Sequence, residues 1–210
     1  MVYAGSVRGR RTWLSLWLLV ALVAGCAKLD ERLLSDDDST RASAIEKVKG
    51  LDDDAKASLV RDLTPKLDTG HRMSADSRED LSRALPAQAN DALRAQTIRQ
   101  RALAGMVATG KSAVPTLRDV VQDPKQRAWV RADAAQALGE IGPSASDATP
   151  TLEQAFDGAK DERLRVSAAG ALVRFGRRDS AYVDELHRCS ARCDTAAKAH
   201  ARQVLAGIEN

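Results

Sequence analysis

Aromatic side chains are scarce in this chain of 210 residues: three Trp, two Tyr and two Phe make up 3% of it. Beyond residue 25 only Trp129, Phe156, Phe175 and Tyr182 remain. Sheets draw on aromatic and β-branched residues, so this alanine-rich composition argues for closely packed short helices instead. Catalytic signatures are missing as well. There is no Gly-x-Ser-x-Gly, no phosphate-binding glycine loop and no His-Glu-x-x-His, which leaves no motif to place a nucleophile, a phosphate or a catalytic zinc. Nor is there a run long enough to span a bilayer. The apolar stretch Trp13 to Val23, broken only by Ser15, falls short of the about 20 residues a span needs. Finally, charge of one sign is not in excess. Arg8, Arg10 and Arg11 are three of the 32 basic residues, and none of the 29 acidic ones precedes Cys26; from there on the balance is 29 against 29. A nucleic-acid partner, which would need a concentrated basic face, is not indicated.

What is present begins at the N-terminus. A basic head (Arg8, Arg10, Arg11), the apolar stretch, and the small residues Ala24 and Gly25 precede Cys26. Secretory signals divide in this way. The run Leu22-Val23-Ala24-Gly25-Cys26 resembles the lipobox of bacterial lipoproteins. That resemblance implies removal of residues 1–25 and acylation of Cys26, and two or three acyl chains anchor far more firmly than one. It also implies the bacterial cell envelope as the location. Ala27, where the sorting rule of such lipoproteins places an aspartate for inner-membrane retention, leans toward the outer membrane, facing the periplasm. Residues 26–38 are expected to be a short tether of at most about 40 Å.

The rest of the chain repeats itself. Gly110, Gly142, Gly176 and Glu209 fall in register at spacings of 32, 34 and 33 residues. Eight positions before each stands an alanine: Ala102, Ala134, Ala168 and Ala201. Twelve before stand Ile98, Val130, Leu164 and Ala197; four before, Met106, Leu138, Leu172 and Leu205. These spacings trace one helical face, and the marker glycine suits the left-handed position that ends a helix. Shorter helices follow at Ala113 to Val121 and Ala148 to Phe156, each with a proline in its first turn. Each unit is therefore a helical hairpin too small to bury its own apolar face, and the units must stack. The segment Val130 to Gly142, its copy Leu164 to Gly176, and Ala113-Val114-Pro115-Thr116-Leu117 resemble HEAT-like repeats of the phycobilisome-lyase type. The fold class expected is all-α, an α-solenoid of stacked hairpins over residues 91–210. Residues 39–90 are expected to be an irregular N-terminal cap, with a helical pair at Thr40 to Lys49 and Ala55 to Leu67 and a short helix from Asp76 ended by Pro86.

Polar columns run through the repeats. Arg99, Arg131, Arg165 and Lys198 recur at one position; Asp91, Asp123 and Asp157 recur at another. The structural reading has the cations bonding turns and helix carbonyls while aspartates cap helix starts; the functional alternative is an anion-binding ladder. Asp36-Asp37-Asp38 and Asp52-Asp53-Asp54 lack the alternation of a calcium loop and stand before predicted helices, as caps do. Cys189 and Cys193 are four apart. They could bridge if the helix stops near Cys189 and restarts at Asp194, since an exported compartment permits disulfides. A metal site from His187, Cys189, Cys193 and His200 has no familiar ligand spacing, and His71 has no apparent partner.

The function expected is that of a non-catalytic, lipid-anchored interaction scaffold, with no cofactor, no metal and no nucleic acid. It would dock an unknown protein partner near the membrane, as a monomer or within an envelope complex, and meet the bilayer through acylated Cys26. The alternatives are an enzyme or enzyme subunit related to the bilin lyases of that repeat subtype, or a structural envelope lipoprotein.

Overall fold

The computed structural model describes residues 29–69 and 86–208, with side chains over 29–68 and 97–208. Residues 1–25, Cys26, His71, the helix expected from Asp76, and Glu209 lie outside the described residues. Every regular element described is helical: α1 Asp38–Lys49, α2 Asp53–Thr69, α3 Pro86–Ala108, α4 Val114–Gln122, α5 Ala128–Ile141, α6 Thr149–Gly158, α7 Glu162–Arg174, α8 Ser180–Arg192 and α9 Thr195–Ala206. The fold is an all-α solenoid of stacked helical hairpins. The long helices α3, α5, α7 and α9 lie side by side. The short helices α4 and α6 each pack chiefly on the long helix that follows, while α8 packs on both α9 and α7.

The register read from the sequence reappears as geometry. Gly110, Gly142 and Gly176 have φ of +64°, +78° and +87°, and each ends a long helix where a side chain would be strained. Ala102, Ala134, Ala168 and Ala201 are fully buried in the stack. The seam between α5 and α7 is the tightest. A Cβ on Gly139 would lie 2.8 Å from the Ala171 Cα and 3.0 Å from its Cβ, so the backbones themselves are in contact. Prolines 115 and 150 occupy the first turns of α4 and α6, where a missing N–H leaves no orphan.

The helical pair expected at Thr40 to Lys49 and Ala55 to Leu67 is present as α1 and α2, with Ala44 and Val48 buried and the interior leucine-packed by Leu59, Leu63 and Leu67. Two expectations need correction at the N-terminal side. First, α3 begins at Pro86, so the boundary drawn at residues 90 and 91 falls within α3. Second, residues 29–36 are not part of a free tether. Residues 29–33 are helical, and Leu29 and Leu33, one turn apart, are 6% and 2% exposed. Leu33 sits against Gly105 of α3, whose missing side chain makes room for it. The Arg101 Nη1 donates to the Leu34 carbonyl at 2.8 Å and to Asp36 Oδ1 at 2.7 Å. An apolar pair at helical spacing gains more by burial than by remaining in water as linker.

Candidate functional site

The long helices of a solenoid bury their apolar stripe, so a charge on that stripe needs a partner from the next layer. Asp133 is such a charge. It lies between Ala132 and Ala134 on α5 and is 1% exposed. Its Oδ2 lies 3.6 Å from Arg99 Nη1 of α3, and its Oδ1 lies 3.7 Å from Arg163 Nη2 of α7. One carboxylate thus ties three consecutive layers. Burial pushes the Asp133 carboxyl up and the two guanidiniums pull it back; burial likewise lowers Arg99, opposed by Asp133. The position nine before each marker is polar throughout: Arg101, Asp133, Ser167 and His200. Sequence reasoning passed over Asp133 and Arg163. The available signal was an acid flanked by core alanines, a placement tolerated only with a cation opposite.

His200, on α9, is 9% exposed, and neither ring nitrogen has a hydrogen-bond partner. A Cβ on Gly170 of α7 would lie 2.8 Å from its Nε2, so glycine makes the space for the ring. Burial first, then the charges of Arg174 and Arg163, lower its pKa to about 4. The imidazole is neutral near pH 7.

The basic column divides. The Arg131 Nε donates to the Val121 carbonyl at 2.7 Å, at the end of α4. Arg165 reaches the Ala159 carbonyl at 3.5 Å and Glu185 at 2.7 Å. Both satisfy the structural reading. Arg99 instead serves Asp133, and Lys198 is half-buried on α9. The aspartate column does not cap helix starts. Asp123 ends α4, where its side chain accepts from the Lys125 N–H at 2.9 Å, and Asp157 is exposed near the end of α6; the side chain of Asp91 lies outside the described residues. The caps stand four positions further on in the last two units. Asp161 accepts from Leu164 N at 3.0 Å, and Asp194 from Ala197 N at 2.9 Å. Asp37 and Asp52, from the two acidic triplets, cap α1 and α2 at 2.6 and 2.7 Å.

Cys189 and Cys193 are joined as a disulfide, with Cα atoms 4.7 Å apart. The helix does not stop at Cys189: α8 runs to Arg192, and Cys193 leaves helical geometry with ψ of 174°. That single departure turns an i, i+4 pair into a bridge across the end of α8. With both thiols joined, His187-Cys189-Cys193-His200 cannot act as a thiolate site, and His200 faces Gly170. Among the described residues no group of three or more His, Cys, Asp or Glu could hold a metal ion, and no helix is long and apolar enough to cross a membrane. Beside the bridge, Glu185 receives Arg165 and Arg188, and Arg188 reaches Glu162 at 2.9 Å, locking α8 onto α7. These two arginines hold the Glu185 carboxyl below its ordinary value.

Among the described residues, open clefts along the stack include the following two. One, about 450 Å³, lies between α4 and α6 and is lined by Gln122, Arg131, Thr151 and Gln154. The other, about 420 Å³, lies between the ends of α7 and α9 and is lined by Arg174, Arg178, Gln203 and Ile208.

Among known families, the one described as HEAT repeats matches residues 78–173. The match starts ahead of α3 and ends in α7, so the last hairpin, with its disulfide and His200, falls beyond it. The chain carries HEAT-like repeats, a class of helical module that commonly serves as a protein-interaction scaffold. No curated protein and no solved structure matches the chain.

Proposed function

We propose that this protein is a lipid-anchored adaptor of the bacterial cell envelope, docking a protein partner on the surface of its HEAT-like solenoid. The observation that carries the reading is a stack of such repeats encoded behind a lipobox-like run ending at Cys26. The polar groups of the repeats support it: the buried Asp133 with its arginines, the carbonyl-bonding arginines and the aspartate caps each have a structural role, so the rest of the solenoid surface is left for recognition. Its work is docking, with no bond made or broken. Acylation at Cys26 holds it to the membrane, with the outer membrane favoured by Ala27. Metabolic labelling with a palmitate analogue, with Cys26→Ser as the control, tests the anchor. Crosslinking in cells followed by mass spectrometry tests the adaptor role: one dominant partner supports it, and many weak neighbours would favour a structural envelope lipoprotein.

A further inference from the structure

The packing of residues 29–36 fixes which end of the solenoid meets the lipid. We infer that the end formed by residues 29–36, α1 and α2 is held directly against the membrane surface, leaving the C-terminal hairpins as the part that projects toward a partner. The inference rests on the proposed acylation of Cys26 and adds an orientation to it. The body begins at Leu29, which is already buried. Between Cys26 and Leu29 stand only Ala27 and Lys28, so the two Cα positions are at most about 11 Å apart. The fixed end is secured three ways: Leu33 against Gly105 and Leu63, Arg101 on the Leu34 carbonyl, and Arg101 on Asp36. From α3 the stack runs through α5 and α7 to α9. At roughly 8–10 Å per helix layer, α9 lies about 25–30 Å further from the anchor. A dozen-residue linker would let the module tumble above the bilayer; a two-residue one does not.

Lipidated full-length protein in vesicles of phosphatidylethanolamine and phosphatidylglycerol, carrying a headgroup-labelled acceptor lipid, tests this by energy transfer. Donors are placed on Ser43→Cys in α1 or Arg202→Cys in α9, both exposed positions. Transfer from position 43 is expected to exceed that from position 202 at least about twofold, given the layer spacing. A flexible Gly-Ser insertion of about twelve residues between Ala27 and Lys28 should erase the difference. Equal transfer from both positions before insertion, in protein that carries the palmitate label, overturns the orientation alone. Failure of Cys26 to take the label overturns the anchored reading and the orientation with it. Hydrogen exchange on the Cys26→Ser chain, free of lipid, reads the other half of the argument. Amides of residues 33–35 should exchange slowly, and Leu33→Asp should speed them at least about tenfold by opening that packing. Exchange at unstructured rates in the parent chain sinks the proposal whatever the state of Cys26.

Discussion

The middle of the stack and its C-terminal end solve the same packing problem with different chemistry. At the α5–α7 seam the helices touch backbone to backbone through Gly139 and Ala171, and one buried carboxylate serves arginines from both neighbouring layers. At the α7–α9 seam a glycine, Gly170, faces a neutral histidine ring, and the outer hairpin is closed by a disulfide and a chain of surface-side ion pairs. An interior layer has neighbours on both faces and can share one charge between them. The outermost layer described, α9, packs on α7 and α8, and a disulfide closes the end of α8 beside it.

The largest effect should come from breaking the shared charge. Asp133→Ala leaves Arg99 and Arg163, whose side chains are 14% and 15% exposed, without their counter-ion. Stranding buried charge costs about 3–5 kcal/mol, a drop in Tm of roughly 6–20 °C for a domain of this size. Replacing all three, with Asp133→Leu, Arg99→Met and Arg163→Met, should recover most of that loss, because a buried ion cluster exchanges well for apolar packing. If the single and the triple variant melt alike, the cluster does not tie the layers.

The glycines give a direct comparison between the seams. Gly139→Ala drives a methyl into the Ala171 backbone, which cannot yield without moving α7. Overpacking of that kind costs about 1–3 kcal/mol, of which helix propensity returns up to about 1. Gly170→Ala meets only side-chain atoms, the His200 ring and the Val204 methyl, and should cost clearly less. Denaturant melts of the two variants settle the order, and equal losses would mean the seams are equally tight.

Histidine makes the C-terminal seam sensitive to acid. Its pKa in the fold is about 4 against an ordinary 6.5, so the unfolded chain takes up a proton first as pH falls. The neutral ring's contribution is intact above pH 6.5 and is lost progressively between about 6.5 and 4. The full difference amounts to about 3 kcal/mol. The groups facing the ring, Arg174 and Arg163, stay cationic throughout and give no competing titration. His200→Gln should flatten stability over that interval, and hydrogen exchange should place the acid-induced opening in α9, leaving the α5–α7 seam protected. Parallel pH profiles for the variant and the parent would remove His200 from the explanation.

Legibility followed the same division. The hairpins over α3 to α9 could be read because glycine and alanine recur where φ turns positive and where helices touch, and those demands are local to each unit. The α1–α2 hairpin faded from the pattern because leucines fill its core, so no alanine register survives. Leu29 and Leu33 looked like linker because one helical turn carries too little periodicity to stand out. Asp133 was hidden for another reason: its partners are 34 residues before it and 30 after it, so only the stacking register brings them together.

Reduction separates the covalent closure from the seam it protects. Reducing Cys189–Cys193 opens a loop of only a few residues, worth about 2 kcal/mol in the chain-entropy account and so about 4–8 °C in Tm. The bridge lies at the junction of α8 and α9, where Asp194 caps the next helix and the Arg188–Glu162 pair already holds α8 on α7. Reduction should therefore loosen the last hairpin without unstacking α7, because that hairpin retains its ion pairs and its buried Leu186, Val204 and Leu205. Cys189→Ala with Cys193→Ala should reproduce the effect of reductant and abolish any further response to it. The acid sensitivity of His200 should rise in both cases, since a layer already loosened opens at a milder pH. If reductant instead lowers the stability of the α5–α7 seam by the same amount, the stack melts as one unit, and the contrast between interior and terminal layers is one of composition without a difference in local stability.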